Sequence, residues 1–268
     1  MFNKQYNNIV SKICVRLLHI KKKKQKVFIV LSGAQGSGKT TLTKNLKDKL
    51  SKSHKVLSLS IDDFYLSKKD RKILSDKSSQ LFKTRGVPGT HNIKNIEKVI
   101  KLFKSGKKAN LSIPLFSKAK DDIEKKRKNL LKFPCDFLLL EGWCNGYRGE
   151  INKSLNKPIN VLEKRLDKSG IWRKNINIFS QIYYLKIFKK ADFSIFLKVP
   201  SFNKVFYWRK KQEMQIPKKY RMSSIRIKEF ISYYERVTKN LLKNYQKIFN
   251  CYIIINAKHN FVKLKELK

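Results

Sequence analysis

Short runs dominated by apolar, often β-branched residues recur at 27–31, 56–60, 136–140, 193–197 and 251–255. Each is strand-sized, and Val27 to Leu31, apolar throughout, reads as a strand buried on both faces. Between these runs the period of the apolar positions lengthens. Leu42, Leu46 and Leu50 recur four residues apart, and similar helical patterns cover 93–103, 205–214 and 225–242. Near the start, Ile9, Val10, Ile13, Val15, Leu17 and Leu18 fit one further amphipathic helix. Strands alternating with helices predict a mostly parallel sheet covered on both sides, a three-layer α/β/α arrangement. Ligands of such sheets collect beyond the carboxyl ends of the strands. We divide the 268 residues into an N-terminal helix with a basic connection, 1–26, and one domain, 27–268. No apolar run approaches the roughly 20 residues that span a bilayer, so no membrane partner is expected.

One strand end carries a complete phosphate-binding loop. Gly33-Ala34-Gln35-Gly36-Ser37-Gly38-Lys39-Thr40 matches G-x-x-x-x-G-K-[ST], with the first strand before it and the Leu42 helix after it. Glycines let backbone N–H groups wrap a phosphate, and the following helix presents its positive end to it. The assigned nucleotide-binding residues are Gly33, Gly36, Ser37, Gly38, Lys39, Thr40 and Thr41. Lys39 reaches the β- and γ-phosphates and Thr40 ligates a metal, so ATP and Mg²⁺ are the expected cofactors.

Two more strand ends bring acids to the same edge. The second strand runs into Ser60-Ile61-Asp62-Asp63-Phe64-Tyr65. Phosphoryl transfer to an alcohol needs a carboxylate there to take the hydroxyl proton, and Asp62 is the expected base. Asp62 or Asp63 capping a helix that begins near Phe64 is the plainer alternative. The third strand ends in Leu140-Glu141-Gly142-Trp143, where Glu141 is placed to help Thr40 and Asp62 hold the metal.

The formal charge of +44 raises a second possibility, because affinity for polyanions grows with the number of phosphates neutralised. The excess is lysine, 52 against 11 arginines, and it is spread over every segment. A dedicated nucleic-acid surface clusters its charge and favours arginine forks; solvated faces of a lysine-biased chain explain this distribution better, and no specific nucleic acid is expected. Lys21 to Lys24 form a cationic run after the first helical stretch, and no acid precedes Asp48. A transit peptide is disfavoured, because the stretch is poor in Arg and Ser and leads within a few residues into the first strand. Cys14, Cys135, Cys144 and Cys251 are scattered without metal-ligand spacing, which argues for small buried side chains in a reducing, cytoplasmic setting.

The loop, Ser60 to Leu66 and Thr84-Arg85-Gly86-Val87-Pro88-Gly89-Thr90-His91 together resemble the D-glycerate 3-kinase-like group of phosphate-loop kinases, related to the uridine kinase, phosphoribulokinase and pantothenate kinase branch. The likeness continues through Pro114 to Ala119, Glu141-Gly142-Trp143-Cys144, Pro158 to Glu163, Trp208 to Glu213 and Met222-Ser223. It implies ATP-dependent phosphorylation of a small hydroxy acid, D-glycerate first, with another small acceptor, a nucleic-acid-associated ATPase or a non-catalytic relative as alternatives. Asp62 and Lys39 would be catalytic, and Asp63, Tyr65, Arg85, His91 and Lys118 would face the acceptor. Arg209 would belong to a helical lid over the phosphates, with Trp208 beside it packing inward. Three positions depart from the group's pattern: Asn92 and Ser117 stand where it has Asp, and Ile123 where it has Arg.

Overall fold

The computed structural model describes residues 4–214, 219 and 221–267. In chain order its strands are β1 (Val27–Gly33), β2 (Val56–Ser60), β3 (Ala109–Ser117), β4 (Asp122–Phe133), β5 (Phe137–Gly142), β6 (Phe193–Lys198), β7 (Cys251–Ile255) and β8 (Phe261–Glu266). All five apolar runs are strands of one sheet, ordered β2-β5-β1-β6-β7-β8. Every pairing in it is parallel except β7 with β8. Both faces of β1 are covered: Val27, Ile29 and Leu31 enter one core and Phe28 and Val30 the other. That is the physical meaning of an unbroken apolar run, since successive side chains point to opposite faces.

The helices are α1 (Lys4–Lys23), α2 (Lys39–Leu50), α3 (Lys68–Lys77), α4 (Ile93–Ser105), α5 (Asn152–Leu155), α6 (Val161–Leu166), α7 (Ile171–Phe179), α8 (Leu185–Phe188), α9 (Phe202–Glu213) and α10 (Ser224–Asn244). On one face α1, α2 and α9 contribute Leu17, Leu42, Leu46 and Val205 to the core; on the other α4, α7 and α10 contribute Ile100, Phe103, Ile176 and Val237. The expected three-layer α/β/α fold is present. No described helix is long and apolar enough to cross a membrane.

Two details of the N-terminal segment differ from expectation. Lys21, Lys22 and Lys23 lie in the last turn of α1 instead of an open connection, where cations complement the helix's negative end. Lys21 and Lys24 also reach Asp136 (3.2 Å) and Asp192 (2.5 Å) at the start of the neighbouring strands. Val15, grouped with the apolar face, is 68% exposed; Tyr6, Ile9, Val10, Ile13, Cys14 and Leu17 do the packing.

The β3–β4 hairpin, which forms a separate two-stranded sheet, and β8 carry no apolar run. Exposed lysines lie on β4 and β8, β3 exposes Asn110 and Ser112, and Pro114 sits at a register shift in β3. The hairpin nevertheless positions chemistry, because its turn carries Lys118 and Asp121 toward the carboxyl edge of the main sheet.

Candidate active site

β1 ends at Gly33 and α2 begins at Lys39, so the phosphate loop spans the gap between them. Gly38, the residue before α2, has φ 92°, a conformation open to glycine at little cost. Lys39 Nζ donates to the Ala34 carbonyl at 2.9 Å, and among the described residues it forms no ion pair. Burial lowers the pKa of this ammonium, while the carboxylates of Glu141 and Asp62 raise it. Ser37 Oγ is buried and likewise has no partner among the described residues. A desolvated cation and an unsatisfied hydroxyl in a loop of this shape suit a bound phosphate chain. Thr41 is exposed one residue along from Thr40.

β5 lies between β1 and β2, with Glu141 opposite Leu31 of one and Ser60 of the other. This placement lets Thr40 Oγ1 donate to Glu141 Oε1 at 2.6 Å. The two could hold Mg²⁺, with phosphate oxygens and water completing the octahedron, as the reluctant dehydration of that ion favours. No described cluster of three His, Cys, Asp or Glu could hold a metal by itself.

After β2 the chain turns through a 3₁₀ segment, Ile61–Phe64, and separates its two aspartates. Asp63 Oδ2 accepts from the Ser60 backbone N–H at 2.7 Å, while Ser60 Oγ accepts from the Asp62 N–H at 3.2 Å. This reciprocal cap occupies Asp63 with its own turn. The capping alternative therefore describes Asp63, which the acceptor-side assignment had placed on a substrate. Asp62 is left to point away: Oδ1 accepts from the Tyr65 hydroxyl at 2.7 Å and Oδ2 from Lys118 Nζ at 2.8 Å. Burial alone would raise its pKa, but the Lys118 ammonium and these two hydrogen bonds hold it below the usual carboxylate range. Asp62 is therefore ionised at neutral pH.

The Arg-Gly-Val-Pro-Gly-Thr-His segment is fastened to both neighbours. The Trp143 indole N–H donates to Gly86 O at 2.8 Å, tying it to the end of β5. The Leu66 N–H donates to Thr90 O at 2.9 Å and the Asn92 N–H to Phe64 O at 2.6 Å, tying it to the Asp62 turn. His91 is buried, stacks on Tyr65 with ring centroids 4.7 Å apart, and its Nδ1 lies 2.6 Å from the Tyr184 hydroxyl. Burial pushes the imidazole down to about 4, against the pull of Asp62. Arg85 pairs with Asp121 and lies over the Phe116 ring at 5.5 Å; Asp121 also pairs with the fully buried Arg71 at 2.9 Å.

Two departures from the family pattern have structural tasks. Asn92 Oδ1 caps α4 by accepting from the Asn95 N–H at 3.0 Å, a position where Asn and Asp serve equally. Ser117 Oγ accepts from the Lys120 N–H at 3.3 Å in the hairpin turn, a contact within an Asp side chain's reach. For Ile123 the structure offers no explanation.

Arg209 lies on α9 and is not in the group just described. It pairs with the buried Glu213 at 2.8 Å, and its guanidinium is 5.8 Å from the Phe230 ring of α10. Trp208 is buried and stacks on His259 at 4.2 Å. Tyr184, Tyr234 and Asp121 surround the acceptor loop without having been singled out by any motif. Tyr184 is 93 residues from the His91 it touches, and no local pattern encodes such a pairing.

The family model of the phosphoribulokinase / uridine kinase family matches residues 28–165, just over half of the chain. The chain belongs to this family. Within it, this kinase is 29% identical over 243 residues to an uncharacterised kinase of Schizosaccharomyces pombe, a match that covers 84% of this chain and 85% of that protein. A probable ATP-dependent kinase of Saccharomyces cerevisiae is 28% identical over 209 residues, covering 71% of this chain and 68% of its own length. The fold is shared with D-glycerate 3-kinase of Cryptococcus neoformans, at TM-score 0.78 and 22% identity over 98% of this chain and 99% of that one. The three-layer fold expected from the strand pattern, and the phosphate-loop kinase family that the motifs resemble, are thus shown.

Proposed function

We propose that this kinase transfers the γ-phosphoryl group of ATP to a hydroxyl of a small hydroxy acid, with D-glycerate as the first candidate and 3-phosphoglycerate as its product. The observation that carries the proposal is the setting of Asp62. Its carboxylate is ionised and spared from capping, held by Tyr65 and Lys118 at the edge where Lys39, Thr40 and Glu141 converge.

The chemistry balances on these groups. An acceptor hydroxyl oxygen forms a bond to the γ-phosphorus as the bond from phosphorus to the β,γ-bridging oxygen breaks, and that electron pair leaves with ADP. Asp62 takes the hydroxyl proton. Lys39 would bring its ammonium to the phosphates, where burial lowers its pKa and Glu141 and Asp62 oppose that pull. Thr40 and Glu141 would hold Mg²⁺, which when bound neutralises charge on the phosphates. On the acceptor side, Lys118 and Arg85 supply cations for a carboxylate, and His91 and Tyr65 wall the pocket. Arg209 would serve the phosphates only after leaving Glu213, a movement of the kind lids make.

ADP release by the purified protein with Mg²⁺-ATP, with and without D-glycerate and with a polynucleotide in a parallel sample, tests the reading. Glycerate-dependent release with phosphoglycerate formed supports it. Release driven by another hydroxy acid moves the acceptor but keeps the class; release driven only by polynucleotide overturns it.

A further inference from the structure

We propose that Tyr184 is a positioning residue that fixes His91 as the neutral Nε2–H tautomer, so that the acceptor pocket offers an uncharged hydrogen-bond donor to an acceptor oxygen near Asp62. This deepens the function proposed above and rests on it for the acceptor, though not for the tautomer.

The argument follows the protons. The Gly89 backbone N–H donates to the Tyr184 oxygen at 3.0 Å, and the His91 backbone N–H is aimed at the same oxygen. Tyr184 is 3% exposed, and the only side chain hydrogen-bonded to its oxygen among the described residues is the His91 ring, whose Nδ1 lies 2.6 Å away. If Nδ1 carried the proton, the phenol oxygen would be approached only by donors, and both the phenol hydrogen and the Nε2 lone pair would lack a partner among the described residues. With the phenol donating to Nδ1 only the Nε2 hydrogen is left over, one orphaned atom in place of two. The Tyr184 hydroxyl therefore donates to Nδ1. Burial keeps the ring from taking a second proton near neutral pH, so its single proton sits on Nε2.

Nε2 is buried and has no hydrogen-bond partner among the described residues, on a ring that is 3% exposed. A buried polar atom without a partner calls for an explanation, and a ligand oxygen supplies one. The ring is stacked on Tyr65, whose hydroxyl binds Asp62, and its charge state is coupled to that carboxylate. A neutral donor suits this place. An imidazolium would attract Asp62 and compete with the proton that Asp62 is to receive, whereas a neutral N–H holds a hydroxyl or carboxylate oxygen without adding charge. The Tyr184 end of the relay lies in a single π-helical turn, Ser180–Tyr184, between α7 and α8. Such turns are rare and recur at functional sites because the extra residue re-aims a side chain.

Long-range ¹H–¹⁵N correlation spectra of the free, histidine-labelled protein read the tautomer directly. The sequence has four histidines, and the His91 signals are those lost in His91→Gln. The expected result is protonated Nε2 with Nδ1 as an acceptor in the wild type, and a mixed or inverted tautomer in Tyr184→Phe, a change that keeps the ring. A wild-type Nδ1–H tautomer, an imidazolium at pH 7, or no change in Tyr184→Phe overturns the proposal. These spectra decide it even if no acceptor is turned over, an outcome that would count against the proposed function alone. With an acceptor in hand, Tyr184→Phe should raise its KM about ten-fold or more, as for loss of one buried hydrogen bond, and leave the KM for ATP within about two-fold. Equal effects on both substrates would reduce Tyr184 to a general packing role and overturn its positioning of His91.

Discussion

Asp62 and Asp63 leave the same strand end one residue apart and meet opposite surroundings. Asp63 closes a reciprocal cap on Ser60, and Asp62 is turned toward Tyr65 and Lys118. Their variants should separate accordingly. Asp62→Asn keeps the shape and loses the proton acceptor, so turnover should fall about 10²-fold or more with nucleotide affinity nearly unchanged. Wild-type turnover in Asp62→Asn, measured beside nucleotide titration, would remove Asp62 from the role of base. Asp63→Ala loses the cap, at a cost of about 1 kcal/mol, or a melting temperature lower by about 2–4 °C in a chain of this size. An unshifted melting temperature would show that the turn stands without its cap. Lys39→Ala should weaken both nucleotide binding and turnover, because Lys39 is the one loop side chain that brings charge to the phosphates. Normal binding in that variant would place the nucleotide elsewhere.

At the scale of elements, the site depends on β5 being central. Its last residues deliver Glu141 to Thr40 and Trp143 to Gly86, so one strand end fixes both the metal side and the acceptor side. Gly86 has φ 126°, and a Cβ there would lie 2.1 Å from the hydroxyl oxygen of the buried Tyr234. Gly86→Ala should therefore push the acceptor loop off α10, lowering stability by about 1–3 kcal/mol and raising the acceptor KM more than that of ATP. Calorimetry and steady-state kinetics on one preparation check both, and an unaltered melting temperature would show that the loop is not held against Tyr234. The same elements show what a sequence can disclose. β1, β5, β6 and β7 were legible because strands buried on both faces must be apolar almost throughout; β2, a half-buried edge strand, was legible from its Val-Leu-Ser-Leu-Ser pattern, and the loop because backbone wrapping of phosphate demands glycine at fixed spacing. The β3–β4 hairpin and β8 were not, because an edge or a protruding ribbon keeps one side in water, and polar residues, with lysines on β4 and β8, fill it. Asp62 and Glu141 followed from strand order; Tyr184 and Asp121 did not, since their partners are set by packing between distant segments.

For the whole molecule the governing fact is the charge. With 63 lysines and arginines against 19 acids, at least 44 cations cannot be matched one to one with a side-chain carboxylate. Most are exposed lysines, and the ion pairs they do form at the surface contribute little each. Repulsion among the unmatched charges opposes the compact state, and it is screened over about 30 Å at 0.01 M salt but about 8 Å at 0.15 M. Added sodium chloride between these limits should therefore raise the melting temperature. A fall would mean that surface ion pairs outweigh the repulsion. The same field draws anions without selecting among them, so polynucleotide should bind at low salt, weaken steeply as salt rises, and leave ATP turnover unchanged. It should also attract ATP itself, and kcat/KM for the nucleotide should decline with ionic strength while kcat holds, because steering acts on encounter and the buried contacts of Lys39 and Asp62 are screened far less. Loss of kcat in parallel would trace the salt effect to the site instead of to the field around it.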